Sequence, residues 1–495
     1  MRYARTAVLV GFALLFLALG PAVLVLGLLT LTIPRVRAWL RPDRRTVAGW
    51  AAAVVAVVAL LLLVPGGWLP ILAGPGAAVT PAYLGRPAVG DAAGPLPSPT
   101  PHVAPALFAG PLGESPRVRS RWYGFDGCRD LAADTRHRLV TLCGGPGGPV
   151  LRLLDPTGLR QLASKELPGR DGLPCPGVFF LDDTDHVVVA TTDQKLLTIG
   201  TADAQGDPDL TTTATVDLSG SLPDEDCVTG LRPDPQGDTW FASHDGRVGV
   251  VVGGEPRTVD VGDQLDRPLA TSTSAAYVAG SDGLHKVAVL AGRPVVVWNA
   301  RYDGAAPGAA PVVLPSGSVA VATNRDPRLQ ITVRRSDTGK VVCRTEVFGD
   351  GGSADGGLVA TADGRDAVLV TNAQGYGGPL ATVLGRTTSG GIARVDVRGG
   401  SCVHTWTSDL DAPSGAPAVS PQVGLAYAVT KRHSWWGVDA WYVTALDLRT
   451  GRAVWARRVG LGPLRDNHHA APAVGPDGSL YVPVLGGFLR LHDRS

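Results

Sequence analysis

The chain has 495 residues, with 45 Lys and Arg against 44 Asp and Glu, and this near-neutral balance argues against a nucleic-acid partner. Its 64 Gly and 40 Pro are too many for a helical protein and suit numerous short strands joined by turns.

The first element is an uncharged apolar run of 27 residues, Ala7–Ile33, followed by a second of 18, Val47–Val64. Each is long enough to cross a hydrocarbon core of roughly 30 Å as a helix. The first is too long for a signal-peptide core and a second follows it, so residues 1–74 read as an anchor of two retained transmembrane helices. Arg35, Arg37, Arg41, Arg44 and Arg45 face a single Asp43 in the loop between them. The positive-inside rule places this loop in the cytoplasm and both termini outside, although Arg2 and Arg5 in the tail oppose that orientation. We read the Arg loop as a topology determinant rather than an anionic-lipid site. Residues 75–116, rich in Pro, Gly and Ala and including Pro95–Pro101 (PLPSPTP), read as a spacer that lifts the next domain off the membrane.

Residues 117–495 repeat. A turn followed by a short apolar strand recurs at eight places, among them Ala133–Leu142, Pro233–Ala242, Thr273–Gly280, Ala362–Val370 and Gly475–Val484. The interval is about 49 residues, which suits a propeller blade of four antiparallel strands. The best-formed hairpin is Ala440–Gly460, with strand-like Trp441, Val443 and Ala445, a turn through Asp447, Thr450 and Gly451, and a return through Val454 and Trp455. Weaker copies are Leu153–Gly158 (LLDPTG), Thr332–Gly339 (TVRRSDTG) and Arg394–Gly400 (RVDVRGG). The expected fold is an all-β propeller of eight blades, with seven as the alternative because the Thr273–Gly280 repeat is short. The last repeat lacks one strand, so Val118–Tyr123 is expected to complete it and close the ring.

Six cysteines lie at 128, 143, 175, 227, 343 and 402, with no CxxC motif and no adjacent pair. An even, dispersed set fits disulfides in an oxidising compartment, the alternative being six buried free thiols. Sequence-near pairing gives Cys128–Cys143, Cys175–Cys227 and Cys343–Cys402. The last two residues follow Gly-containing turns of neighbouring repeats and so occupy equivalent places on adjacent blades.

These hairpins, with their Asp-x-x-Thr-Gly-x3-Trp element, resemble the quinoprotein-type (PQQ-like) β-propellers. That group includes PQQ-dependent alcohol dehydrogenases and a non-catalytic outer-membrane assembly lipoprotein. The resemblance is strong after Val368, where Gly391–Val397, Ala440–Trp455 and Asn467–Gly487 look like bacterial secreted members without assigned activity. In such proteins the element serves blade packing. In the Thr332 copy, Cys343 stands where Trp455 stands in the best copy. The dehydrogenases carry an adjacent-Cys disulfide beside the quinone and an acidic residue with Asn that hold Ca²⁺. No residue set here matches those sites, so the resemblance implies neither cofactor nor metal, and no catalytic residue is assigned.

Several polar clusters are candidates for binding. Asp466-Asn467-His468-His469 precedes an expected innermost strand, which places it at one mouth of the channel. His468 and His469 can bind a ligand or take a proton, but adjacent side chains on a strand point to opposite faces. A hydrogen-bonded loop cap is the structural alternative. The likeness of His-His-x-x-Pro before a Pro-Asp-Gly turn to some polysaccharide-lyase propellers keeps an enzymatic reading open. Asn372–Pro379 and Gly385–Gly391 add Tyr376 and Arg386 for stacking and charge, beside glycines that admit a ligand to the backbone. Lys431, Arg432, Trp435 and Trp436 form a basic and aromatic surface patch for a glycan, lipid head groups or a protein, unless the Trp residues fold back on the blade. The aspartates of the Pro-Asp-Gly turns lack Ca²⁺-loop spacing and are turn formers. Two functional classes remain: a membrane-tethered extracytoplasmic scaffold binding a protein or glycan, and a carbohydrate-active or quinone-dependent envelope enzyme.

Overall fold

The computed structural model describes residues 2–40, 44–89, 108–124, 127–145, 148–169, 177–204, 207–273, 275–302 and 306–494. The Pro95–Pro101 tract and Cys175 lie outside the described residues.

Eight antiparallel sheets follow one another as the blades of a ring. Blades 1 to 7 span residues 128–166, 179–217, 228–260, 270–301, 306–347, 358–408 and 418–461. Blade 8 takes three strands from residues 473–492 and its outermost from β2, Arg117–Trp122. The register of β2 runs from Arg117 opposite His492 to Trp122 opposite Gly487, so the expected ring closure is present. Thr273–Gly280 contains Ala275–Ala279, the second strand of a complete blade 4, and the seven-blade alternative falls.

Burial along each blade follows from its position between two neighbours. Second strands such as Leu425–Lys431 and Leu480–Val484 are buried at every residue. They read as largely apolar runs rather than alternating ones because both faces meet another blade. Outer strands alternate, as in Ser401–Ser408.

In blades 5 and 7 the turn between third and fourth strands docks the blade on the one before it. In Asp447–Gly451 the Asp447 carboxylate accepts the N–H groups of Arg449 and Thr450, each at 2.9 Å, and Gly451 takes φ 70°. Trp406 of blade 6 packs on Gly451, where a Cβ has no room, and its Nε1 donates to Leu448 O at 3.0 Å. Trp298 of blade 4 meets Gly339 of blade 5 in the same way and donates to Ser336 O at 3.1 Å.

Blade 8 has no continuous turn here, since its third strand ends at His492 and its fourth begins at Arg117. The turn is rebuilt from two distant pieces. Asp493 accepts the N–H groups of Leu112 and Gly113, and Gly113, at φ 92°, lies under Trp455 of blade 7.

Residues read as a spacer pack on the propeller over their described parts. β1, Tyr83–Gly85, adds a fifth strand outside blade 7, with Gly85 opposite Trp455. Arg458 reaches Ala77 O and Thr80 O, and Tyr442 donates to Pro81 O.

Among the described residues, four α-helices precede the propeller: α1 Arg2–Leu19, α2 Ala22–Thr30, α3 Pro34–Leu40 and α4 Arg44–Leu63. The expected single helix over Ala7–Ile33 is therefore not formed. Gly20 ends α1 in the left-handed region at φ 97°, and Pro21 lacks the N–H needed to continue the helix. Gly27 packs on Phe12, so α1 and α2 fold back as a hairpin. Among the described residues no helix is long and apolar enough to cross a membrane.

Two expected disulfides are present, Cys128–Cys143 within blade 1 and Cys343–Cys402 between the outer strands of blades 5 and 6. Cys227 is also disulfide-bonded, but the expected pairing with Cys175 falls outside the described residues.

Candidate functional site at the channel mouth

The strands alternate in direction, so connections from second to third strands share one face of the disc with those from a fourth strand to the next blade. On this upper face the Asp466–His469 segment enters blade 8, and Tyr376 lies in the second-to-third connection of blade 6. His468 and His469 are not on a strand. They occupy a turn with φ of 38° and 69°, which frees both rings to lie on one side, with centroids 4.9 Å apart. The Tyr376 ring lies 6.1 Å from His468 and 5.2 Å, edge-on, from His469.

A buried carboxylate organises the group. Asp466 Oδ1 accepts from Tyr376 Oη at 3.1 Å and from the His468 N–H at 2.8 Å, while Oδ2 accepts from Thr382 Oγ1 at 3.0 Å. Tyr376 Oη also lies 3.1 Å from His468 Nδ1. The single phenolic proton goes to the carboxylate, so Nδ1 of His468 carries its hydrogen and donates to the phenol oxygen. This leaves His468 Nε2 as an acceptor. Burial, with His469 and Arg129 nearby, lowers His468 to about 4, so the ring is neutral at pH 7. Burial pushes Asp466 up, opposed by its donors, and burial beside Asp466 holds the Tyr376 phenol above its ordinary value.

His469 Nε2 stands 3.6 Å from Asp355 Oδ2, and Arg267 Nη1 donates to Asp355 Oδ1 at 2.7 Å. Asn467 fastens the turn by donating to Ser414 O and Ala470 O, and Ser414 Oγ accepts the His469 N–H. Asn372 holds the Tyr376 loop through Gly351 O and Gly390 O.

Of the four expected ligand contacts, Tyr376, His468 and His469 come together and Arg386 does not. The exposed Arg386 instead caps its own turn through Val383 O and Leu380 O. The expected patch also divides. Lys431 is buried, not exposed, because its ammonium bonds Asp439 Oδ1 at 2.9 Å and Arg386 O, and burial lowers its pKa. Arg432 lies over the Tyr442 ring, Trp436 packs towards Val438 and Tyr442, and Trp435 stacks on Trp436 while remaining 77 % exposed. Sequence reasoning did not find Arg267, Asp355 or Ser414, which are isolated polar residues in ordinary connections. A cavity of about 400 Å³ lies apart from the mouth, lined by Leu84, Asp411, Thr430, Lys431 and Trp455 among others. Among the described residues no group of three His, Cys, Asp or Glu side chains is placed to hold a metal ion.

No protein-family model matches the chain. An uncharacterized protein of Archaeoglobus fulgidus is 33% identical over 86 residues, which are 17% of this chain and 16% of that protein's length. The Chaetomium thermophilum Sqt1 structure superimposes with a TM-score of 0.51 at 13% identity, covering 74% of this chain and 95% of that one. The Dos1 propeller gives 0.48 at 11% identity over 79% and 97%, and a streptogramin B lyase structure 0.39 at 11% over 74% and 93%. At such identity the first likeness shows the propeller fold alone, and the other two carry no argument.

Proposed function

We propose that the chain is a membrane-tethered propeller of the cell envelope, its disc outside the cytoplasm, acting as a scaffold that binds a protein or glycan at the channel mouth. The observation that carries the binding role is the convergence of Tyr376, His468 and His469, with the neutral His468 Nε2 left as an acceptor. Their support by Asp466, Asn467 and Asn372 preorganises the mouth, which lowers the entropy cost of binding.

The disulfides support an oxidising compartment. Exposed Leu14, Leu15, Leu28, Leu29, Val54 and Val55 support burial of the helices in lipid. The nine residues of α2 rise only about 14 Å, so in this reading the α1–α2 hairpin is held in the lipid by its exposed apolar faces rather than as two full spans. In this reading the hairpin turns the chain back, so Arg35 and Arg37 of α3 lie on the same side of its apex as Arg2 and Arg5. The tail's charge then no longer opposes the positive-inside rule, and α4 returns the chain to the propeller. A reporter enzyme active only outside the cytoplasm, fused after Pro116, should be active; activity confined to a cytoplasmic reporter overturns the location.

For the mouth, His468→Asn with His469→Asn keeps residues that accept a left-handed backbone. The double variant should retain its melting temperature and lose binding in a glycan and protein-partner screen. A lower melting temperature with undiminished binding overturns the role. The second reading is enzymatic and rests on the same neutral imidazole, which is suited to accept a proton from a carbohydrate in a lyase-like reaction. Lyase or quinone-dependent turnover by the wild type would select it.

A further inference from the structure

The helices and the mouth share a face of the disc. The apex of the α1–α2 hairpin sits on the second-to-third connection of blade 7, where Ala22 N donates to Trp436 O and Pro21 touches Gly437. A Cβ on Gly20 would strike Val438, which is fully buried. Segment 76–78 caps α1, as Gly76 N and Ala78 N donate to Leu17 O and Ala18 O. Just beyond α4, Gly67 N donates to Trp122 O, where β2 reaches the same face. Both helical contacts with the propeller therefore lie on the upper face.

The same connections carry large apolar side chains that no part of the described chain covers. Leu380 is 80 % exposed, Leu384 65 % and Trp435 77 %. They are neighbours of the hairpin apex: Ser434 N donates to Gly385 O, and Gly437 lies against both Pro21 and Leu384 O. Exposed Arg386 and Arg432 flank them. Indole and aliphatic side chains mixed with guanidinium groups match the chemistry of a bilayer's head-group region. The patch is continuous with the exposed apolar surface of α2, beginning at Leu24 and Val25.

Resting on the membrane reading above, we propose that Leu380, Leu384 and Trp435 form a second contact with the lipid bilayer, dipping into its outer leaflet beside the hairpin. Three attachments on one face, the hairpin, α4 and this patch, fix the tilt of the disc. They turn the mouth with Tyr376, His468 and His469 towards the membrane, so the ligand reaches it from the lipid side or along the gap between disc and bilayer.

The test uses the full chain in vesicles of phosphatidylcholine and phosphatidylglycerol containing lipids spin-labelled near the head group. An environment-sensitive fluorophore is attached through Trp435→Cys or, as a control on the opposite face of blade 5, through Lys340→Cys; the described cysteines are all disulfide-bonded. Flotation reports anchoring and quenching reports the patch. The expected result is flotation of both proteins with quenching several-fold stronger at position 435, reduced again by Leu380→Ser with Leu384→Ser. Flotation with equal quenching at the two positions overturns the patch and leaves the anchor standing. Failure to float overturns the anchor and the patch together. Vesicles of phosphatidylcholine alone decide whether Arg386 and Arg432 need anionic lipid, since quenching that persists there assigns the contact to the apolar side chains.

Discussion

Single side chains in this molecule act by carrying one blade's polar groups to the next. Arg394, on the third strand of blade 6, is almost fully buried and bonds Asp396, Asp363 and, in the following blade, Leu448 O. Lys286 of blade 4 reaches Ser336 O and Arg490 of blade 8 reaches Thr157 O, so the same cation-to-turn contact recurs, including across the ring closure. Arg394→Met should cost about 3 kcal/mol, because it leaves buried Asp396 with the exposed Arg398 and the Thr405 hydroxyl in place of a buried guanidinium. Urea unfolding measures this, and a loss below about 1 kcal/mol would show the contact to be incidental. His468 makes a pH prediction. Its folded-state value of about 4 lies below the unfolded value, so the unfolded chain takes up a proton that the native state refuses. Its contribution is intact above about pH 6.5 and is lost as the pH falls towards 4, by roughly 1 kcal/mol after allowance for partial exposure. Asp466, shifted upward, works in the opposite sense on acidification. The melting temperature of the wild type should therefore drop more between pH 7 and pH 5 than that of His468→Asn. Equal drops would remove His468 from the account.

At the scale of elements, the divided turn of blade 8 is the most exposed to test. Gly113→Val places a side chain both at a positive φ and against Trp455, and should cost about 2–3 kcal/mol. Asp493→Ala should cost about 1–2 kcal/mol, since the Leu112 and Gly113 N–H groups lose their acceptor. Denaturant midpoints decide; an unchanged midpoint for both variants means that the two pieces do not cooperate. The continuous turns were legible in the sequence because Asp447, Thr450 and Gly451 sit a few residues apart and their chemistry is local. The divided turn was not, because Gly113 and Asp493 are 380 residues apart and each alone is an ordinary loop residue. The mouth was half legible for a related reason. A dense Asp-Asn-His-His run is visible, but whether its rings diverge or converge depends on backbone angles that histidine rarely adopts. The apolar run 7–33 misled through its composition, since hydropathy does not register the turn that Gly20 and Pro21 impose.

For the whole molecule, the two described disulfides act at different reach. Cys128–Cys143 closes a separation of 15 residues and Cys343–Cys402 one of 59. Chain entropy predicts about 3 kcal/mol for the first and about 4 kcal/mol for the second. The Cys343→Ser with Cys402→Ser double variant should thus melt lower than Cys128→Ser with Cys143→Ser, and scanning calorimetry under non-reducing conditions compares them. The reverse order would mean that strain or residual structure outweighs loop closure. Eight blades packed face to face bury their second strands on both sides, so loosening one inter-blade contact exposes apolar surface on two blades.

The divided turn also sets an order in time. Gly113 is made 380 residues before its partner Asp493, and at about 5–20 residues per second the interval between them is roughly 20–80 s. Throughout that interval β2 has no strand to pair with and the flank of blade 7 beneath Trp455 lacks its Asp493 clasp. During synthesis the nascent disc is therefore an open arc, and its first and last blades depend on the folding surroundings to keep their edges from other chains until residues 473–493 emerge.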